Sequence, residues 1–227
     1  MSETKTALIV GAGSGLSAAL ARRCASDGMK VALAARRTEK LGDLMTETKA
    51  RAYACDAAET ASVASLFESV QQDLGTPDLV IYNPSYRARG PFVELDPAEV
   101  EKTLRITCFG GFLVGQAAAK AMLARGGGSI LFTGASASVK GYPQSAPFAM
   151  GKFGLRGLVQ SMARELAPKN IHVAHFVIDG GIRSGGEDPG DAQLDPVAIA
   201  DSYLHVHGQH RSAWTWEVEL RPWCETF

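Results

Sequence analysis

The chain has 227 residues, 46% of them hydrophobic, with 23 basic residues against 24 acidic. That length suits one domain with a core burying roughly 70% or more of the unfolded surface, and the near-zero balance leaves no electrostatic footprint for nucleic acid or an anionic membrane. Cys24, Cys55, Cys108 and Cys224 are scattered without a Cys-x-x-Cys pair, no charged-then-apolar leader is visible, and no uninterrupted apolar stretch approaches the roughly 18 residues of a membrane span, so the expectation is a single cytoplasmic domain over 1–227 that handles a small molecule.

Residues 6–10 form a strand-like apolar run, followed directly by Gly11-Ala12-Gly13-Ser14-Gly15 and a helical stretch from Leu16 to Cys24 that ends at Gly28. A strand running into a glycine-rich turn brings backbone close to a pyrophosphate, and the free N–H groups opening the next helix supply positive charge without a basic side chain. A glycine turn that merely joins strand to helix is the plain alternative. Val31–Ala35 completes a βαβ unit. Thr38–Thr48 reads as a helix, Arg51–Cys55 as a third strand closed by Asp56, Ala61–Leu74 as a helix and Asp78–Tyr82 as a fourth strand. Asp96 caps a predicted helix from Pro97 to Ile106, and a long apolar helix runs on to Gly126. Ser129–Thr133 is a fifth strand, Phe148–Ala167 a helix, Ile171–Ile178 a buried sixth strand and Trp214–Leu220 a seventh. Strands alternating with helices predict an α/β, doubly wound parallel sheet with helices on both faces and ligands at the carboxyl ends of the strands. The Gly-, Asp- and Pro-rich residues 183–195 are expected to form a mobile loop over that site, with a merely disordered connector as the alternative.

By Lys152 the residues resemble the short-chain dehydrogenase/reductase family over 6–184. Gly11 and Gly15 match its cofactor loop, with Leu16 beside them; Asp56, followed by Ala57, matches the carboxylate that meets the adenine. Tyr82-Asn83-Pro84-Ser85 stands where Asn-Asn-Ala-Gly is usual, and Asp179-Gly180-Gly181-Ile182-Arg183-Ser184 where the family has Pro-Gly-x-Ile-x-Thr. The resemblance implies a Rossmann fold, a nicotinamide cofactor, and a homodimer or homotetramer packed through the helices near 106–122 and 148–167. Asn83, Pro84, Gly180, Ile182 and Ser184 then become cofactor-binding candidates, and Lys152 is expected to hydrogen-bond the nicotinamide ribose.

The departures carry the chemistry. Ser17 replaces the third glycine of the loop, a substitution small enough to be tolerated. Counting from Lys152, the family's catalytic Tyr position holds Phe148 and its Ser position Ala135; on the preceding long helix the Asn position holds Thr107. Phenylalanine has no proton to give, and a positioned general acid is worth roughly 10² to 10⁴ in rate. Three repairs are open: Ser136, one residue past the missing serine; Tyr142, in the loop before Phe148, alternatively a packing aromatic; or a reaction needing no protein acid. For the cofactor, Ala35 stands where an acid would select NAD, and Arg36 and Arg37 follow, so NADP is favoured over NAD, with Ser14 adding a hydroxyl toward the 2′-phosphate. Surface arginines are the alternative. His205, His207 and His210 have the wrong spacing to converge on a metal and read as surface or interface histidines; His172 and His175 read as structural, and Trp214, Trp216 and Trp223 as packing or subunit contacts, with a substrate-pocket wall as the alternative. The leading expectation is an NADP-dependent oxidoreductase with altered proton delivery; the rival is a catalytically silent nucleotide-binding subunit acting through cofactor occupancy.

Overall fold

In a computed structural model, residues 4–226 are described. The strands β1 (Thr6–Val10), β2 (Lys30–Ala35), β3 (Arg51–Ala54), β4 (Leu79–Tyr82), β5 (Gly128–Thr133), β6 (Ile171–Ile178) and β7 (Glu217–Leu220) form one seven-stranded sheet of order β3-β2-β1-β4-β5-β6-β7. All neighbouring strands are parallel. The order reverses between β1 and β4, which opens a crevice above their carboxyl ends.

Alternation along the strands sends side chains to two cores. Ile9, Leu33, Ile81, Leu131 and Phe176 face α1 (Leu16–Ser26), α2 (Gly42–Thr48) and α7 (Pro196–His207); Leu8, Val80, Tyr82, Ile130 and Phe132 face α3 (Thr60–Leu74) and the two long helices. With every strand of the sheet centre buried on both faces, continuous apolar runs are what the positions require. The predicted doubly wound, Rossmann-like single domain is therefore present.

Several boundaries differ from expectation. The segment 38–48 is a 3₁₀ turn (Thr38–Leu41) followed by α2, and β7 begins at Glu217, after a 3₁₀ turn at Arg211–Ala213. The helices α4 (Pro97–Leu104) and α5 (Gly110–Arg125) join through a wide π-type turn at Arg105–Phe109, and α6 spans Ala146–Leu166. The run Pro97–Arg125, 29 residues, is long and apolar enough by length and composition to cross a membrane, contrary to the sequence expectation; charges are absent from Ile106 to Ala119. Leu113, Val114, Ala118 and Met122 of this run are buried against the sheet, the behaviour of a core helix.

Candidate active site

A cavity of about 480 Å³ lies over the ends of β1 to β4, lined by the turn after β1, Arg36, Arg37, Asp56, Ala57, Asn83 and Pro84. Gly11, with φ +83°, must be glycine twice over: the angle is left-handed, and an added Cβ would lie 2.7 Å from Pro84 N. Around Gly13 and Gly15, by contrast, a Cβ would meet nothing within 4 Å. Helix α1 begins behind Gly15 with no side-chain cap and no acid in its first turn, so its amides and dipole are left for an anion. The turn suits a dinucleotide pyrophosphate on both counts.

Ser17 does more than fit. Its hydroxyl donates to Gly11 O at 2.8 Å and accepts from Asn83 Nδ2 at 2.7 Å, tying the β1 turn to the β4 turn. Asp56 accepts the Ala58 amide at 3.0 Å, and its own amide donates to Ser62 Oγ at 3.0 Å. Lys40, which the sequence reading overlooked, joins Arg36, Arg37 and Ser14 on the cavity wall; its position three residues beyond Arg37, the repeat of the 3₁₀ turn there, was the available signal.

Asn83 is shared with a second compartment of about 380 Å³, bounded by Gly15, Leu16, Phe148, Lys152, Ile182 and Ser184. Gly180, with φ +139° and Pro222 Cδ 2.8 Å from where a Cβ would sit, closes its far side. Lys152 is 2% exposed and donates to Thr133 O at 2.7 Å. Burial, with the Arg87 charge adding, pushes its ammonium down to about 7. Phe148, one helical turn earlier on α6, is 4% exposed, and its ring centroid lies 5.7 Å from Lys152 Nζ. The aromatic ring without a hydroxyl therefore stands beside the lysine, as the spacing predicts.

The residues named as repairs fall elsewhere. Ser136 and Tyr142 line a third compartment of about 490 Å³, which shares Phe148, Arg87 and Gly180 with the second but does not include Lys152. Thr107 is fully buried and lines none of these compartments. Its hydroxyl accepts the Tyr86 amide at 3.2 Å and lies 3.4 Å from Tyr86 O, so it fixes the loop after β4 and is not presented to a ligand. The other buried phenols are engaged: Tyr82 donates to Ile106 O, a carbonyl in the π-type turn, and Tyr203 shares a 2.9 Å hydrogen bond with Thr133 Oγ1.

Behind Ala135 a partly buried relay holds the β5 turn. Arg156 grips both oxygens of Glu217 at 2.6 and 2.7 Å, Glu217 accepts from His175 Nδ1 at 3.0 Å, His175 Nε2 faces Ser138 Oγ at 3.3 Å, and Ser138 Oγ accepts the Ala135 amide at 3.1 Å. His172 stacks on Trp214 at 4.7 Å and contacts Thr215 O at 2.8 Å, while His207 contacts Ser129 Oγ at 2.9 Å. Among the described residues no group of His, Cys, Asp and Glu could hold a metal. The loop 183–195 is pinned at its base: Arg183 N donates to Leu194 O at 2.9 Å, and the Arg183 side chain pairs with Asp195 at 2.6 Å.

Residues 5–186 match the short chain dehydrogenase family. The D-threitol dehydrogenase of Mycolicibacterium smegmatis is 32% identical over 174 residues, covering 74% of this chain and 67% of that protein. The 3alpha-hydroxysteroid dehydrogenase of Mediterraneibacter gnavus is 29% identical over 180 residues, 76% of this chain and 72% of that one. A crystal structure of a short-chain dehydrogenase from Rhodopseudomonas palustris is similar with a TM-score of 0.86 at 36% identity, covering 96% of this chain and 99% of the other. A metagenomic short-chain oxidoreductase in complex with NADP gives 0.85 at 27% identity, covering 97% and 99%. With its sheet order, its crevice and these likenesses together, the chain belongs to the short-chain dehydrogenase/reductase family.

Proposed function

We propose that the protein is an NADP(H)-dependent oxidoreductase of a small carbonyl or alcohol, whose proton delivery does not use a tyrosine. The observation that carries the cofactor choice is the cluster of Arg36, Arg37 and Lys40 on one cavity wall, where no carboxylate or other hydrogen-bond acceptor engages them among the described residues. Guanidinium groups without a protein partner suit a 2′-phosphate, and Ala35 leaves no carboxylate to bind a 2′-hydroxyl in its place. The 27%-identical neighbour in complex with NADP supports the same choice. Relatives named as dehydrogenases favour turnover over a silent, occupancy-sensing role.

When bound, the nicotinamide supplies or accepts the hydride. The turn at Gly13 and Gly15 and the amides opening α1 hold the pyrophosphate; Asp56 meets the adenine; Asn83, Ile182, Ser184 and Lys152 border the nicotinamide end. Lys152, with no phenol between it and the compartment, holds a proton that exchanges near neutral pH, so it both anchors the ribose and serves as the available acid.

Titration of the protein with NADPH and NADH tests this. NADPH is expected to bind at least about tenfold more tightly, and Arg36→Ala with Arg37→Ala to remove most of that preference, since each charge-assisted contact is worth about 1.5–3 kcal/mol. Equal dissociation constants in the parent would overturn the assignment.

A further inference from the structure

Arg36, Arg37, Arg87 and Arg89 stand apart from the other arginines. Each of the rest pairs with a carboxylate or donates to a carbonyl: Arg22 to Glu47, Arg51 to Asp73, Arg125 to Asp78, Arg164 to Gln160 O, Arg211 to Pro168 O, for example. These four have no such acceptor among the described residues, and they lie at the two ends of one crevice. The first pair is accounted for by the cofactor. The second is not.

Arg87 and Arg89 project from the loop after β4, two like charges side by side in the third compartment. Their segment is held in place from both ends: Thr107 bonds the Tyr86 amide, and the Gly90 amide donates to Gln144 O at 3.2 Å. The Arg87 guanidinium carbon sits 4.0 Å from the centroid of Phe148. That cation–π contact holds the guanidinium against the ring, and no protein acceptor engages its N–H groups among the described residues. Because Phe148 and Arg87 border both compartments, an acceptor bound at that edge lies next to the space in front of Lys152. Burial, with Arg89 adding, lowers the affinity of Arg87 for its proton, the mark of a cation lacking a counterion.

We propose that Arg87 and Arg89 bind the carboxylate of the substrate, making this an oxidoreductase for a small oxo acid or hydroxy acid; the inference rests on the NADP(H) reading above. Two carboxylates share the compartment, and they limit the ligand's charge. Asp179 is 4% exposed and already faces Lys140 at 3.7 Å and Arg221 at 3.6 Å. Glu225 borders the Gly180 side and opposes a second negative group, so one carboxylate suits the site and a dianionic phosphate ester does not. In the reductive direction the carbonyl carbon gains the hydride, the C–O π pair moves to oxygen, and that oxygen takes the proton from Lys152, leaving a hydroxy acid. Arg87 also explains the tolerance of Phe at 148: the ring serves as its platform, and the guanidinium beside it stabilises negative charge on the substrate.

The test is calorimetric binding of acetoacetate, 3-oxohexanoate and benzoylacetate, each against its neutral amide, to the protein with NADP, alongside NADPH titration of the same samples. The parent is expected to bind at least one acid at least tenfold better than its amide. Arg87→Met or Arg89→Met is expected to erase that difference while NADPH affinity stays within about twofold, a fold reporter that excludes misfolding. Equal binding of acids and amides, tighter binding of dihydroxyacetone phosphate than of any of the acids, or an Arg87→Met protein with unchanged acid affinity would overturn the proposal. A parent that fails to bind NADPH yet binds acids through Arg87 would keep the anion site and overturn the oxidoreductase reading instead.

Discussion

Lys152 has one carbonyl acceptor, 2% exposure and a cationic neighbour in Arg87, so its proton is loosely held for reasons visible one residue at a time. The sequence pointed to the bare ring at Phe148 and to the lysine beside it, because a fixed helical spacing carries that information. It could not place Arg87, since where a loop side chain rests depends on contacts such as Thr107 with Tyr86 that no periodicity encodes. Ser17 shows the same limit from another side: size alone allowed it, but only the fold reveals that its hydroxyl joins Gly11 O to Asn83 Nδ2. Ser17→Gly is therefore expected to destabilise by about 2 kcal/mol, from unsatisfied partners and a helical glycine. Thermal unfolding would show this as a Tm lower by roughly 4–8 °C; an unchanged Tm would contradict the bridging role.

At the scale of elements, strand and helix assignments were legible wherever a long apolar period ran uninterrupted, as in β6 and α6. They failed where backbone geometry changed without a change in residue type. The π-type turn at Arg105–Phe109 interrupts no hydrophobic pattern, yet it brings Ile106 O within reach of the Tyr82 hydroxyl. The relay from β7 through His175 to the β5 turn has a measurable consequence. Burial, aided by Lys152 and Arg156 against the pull of Glu217, holds His175 down to about 4. Burial likewise holds His207 to about 4, with Lys5, His172 and Arg125 adding and Asp78 opposing. Between pH 6.5 and 4 the unfolded chain binds more protons at these sites than the folded one, so stability is present above 6.5 and falls with pH across that window. Each histidine contributes on the order of 1 kcal/mol per pH unit. Urea midpoints should drop from pH 7 to pH 5, and His175→Gln should shrink the drop; a flat profile would contradict the buried neutral state.

For the whole molecule, alternation of strand and helix was enough to foresee the parallel sheet and the crevice at its switch point, whereas the subdivision of that crevice into the Arg36–Arg37, Lys152 and Arg87–Arg89 compartments emerges only from how three loops meet. Assembly belongs at this scale too. Phe112 and Phe153 remain 40% and 45% exposed on α5 and α6, the helices through which the family resemblance implies dimers or tetramers, with Met150 at 51% beside them. Light scattering should find a dimer or larger, and Phe112→Glu with Phe153→Glu a smaller species; a monomeric parent would contradict this.

The pH dependence of NADPH oxidation by an oxo acid, followed by loss of the reduced nicotinamide absorbance, probes the active site as a whole. If Lys152 is the acid that replaces the missing phenol, the rate falls as pH rises through a midpoint at or above about 7, where the anionic substrate favours the charged lysine, and Lys152→Met abolishes it. NADPH that binds but is never oxidised by any oxo acid, or a rate indifferent to Lys152→Met, would contradict the account.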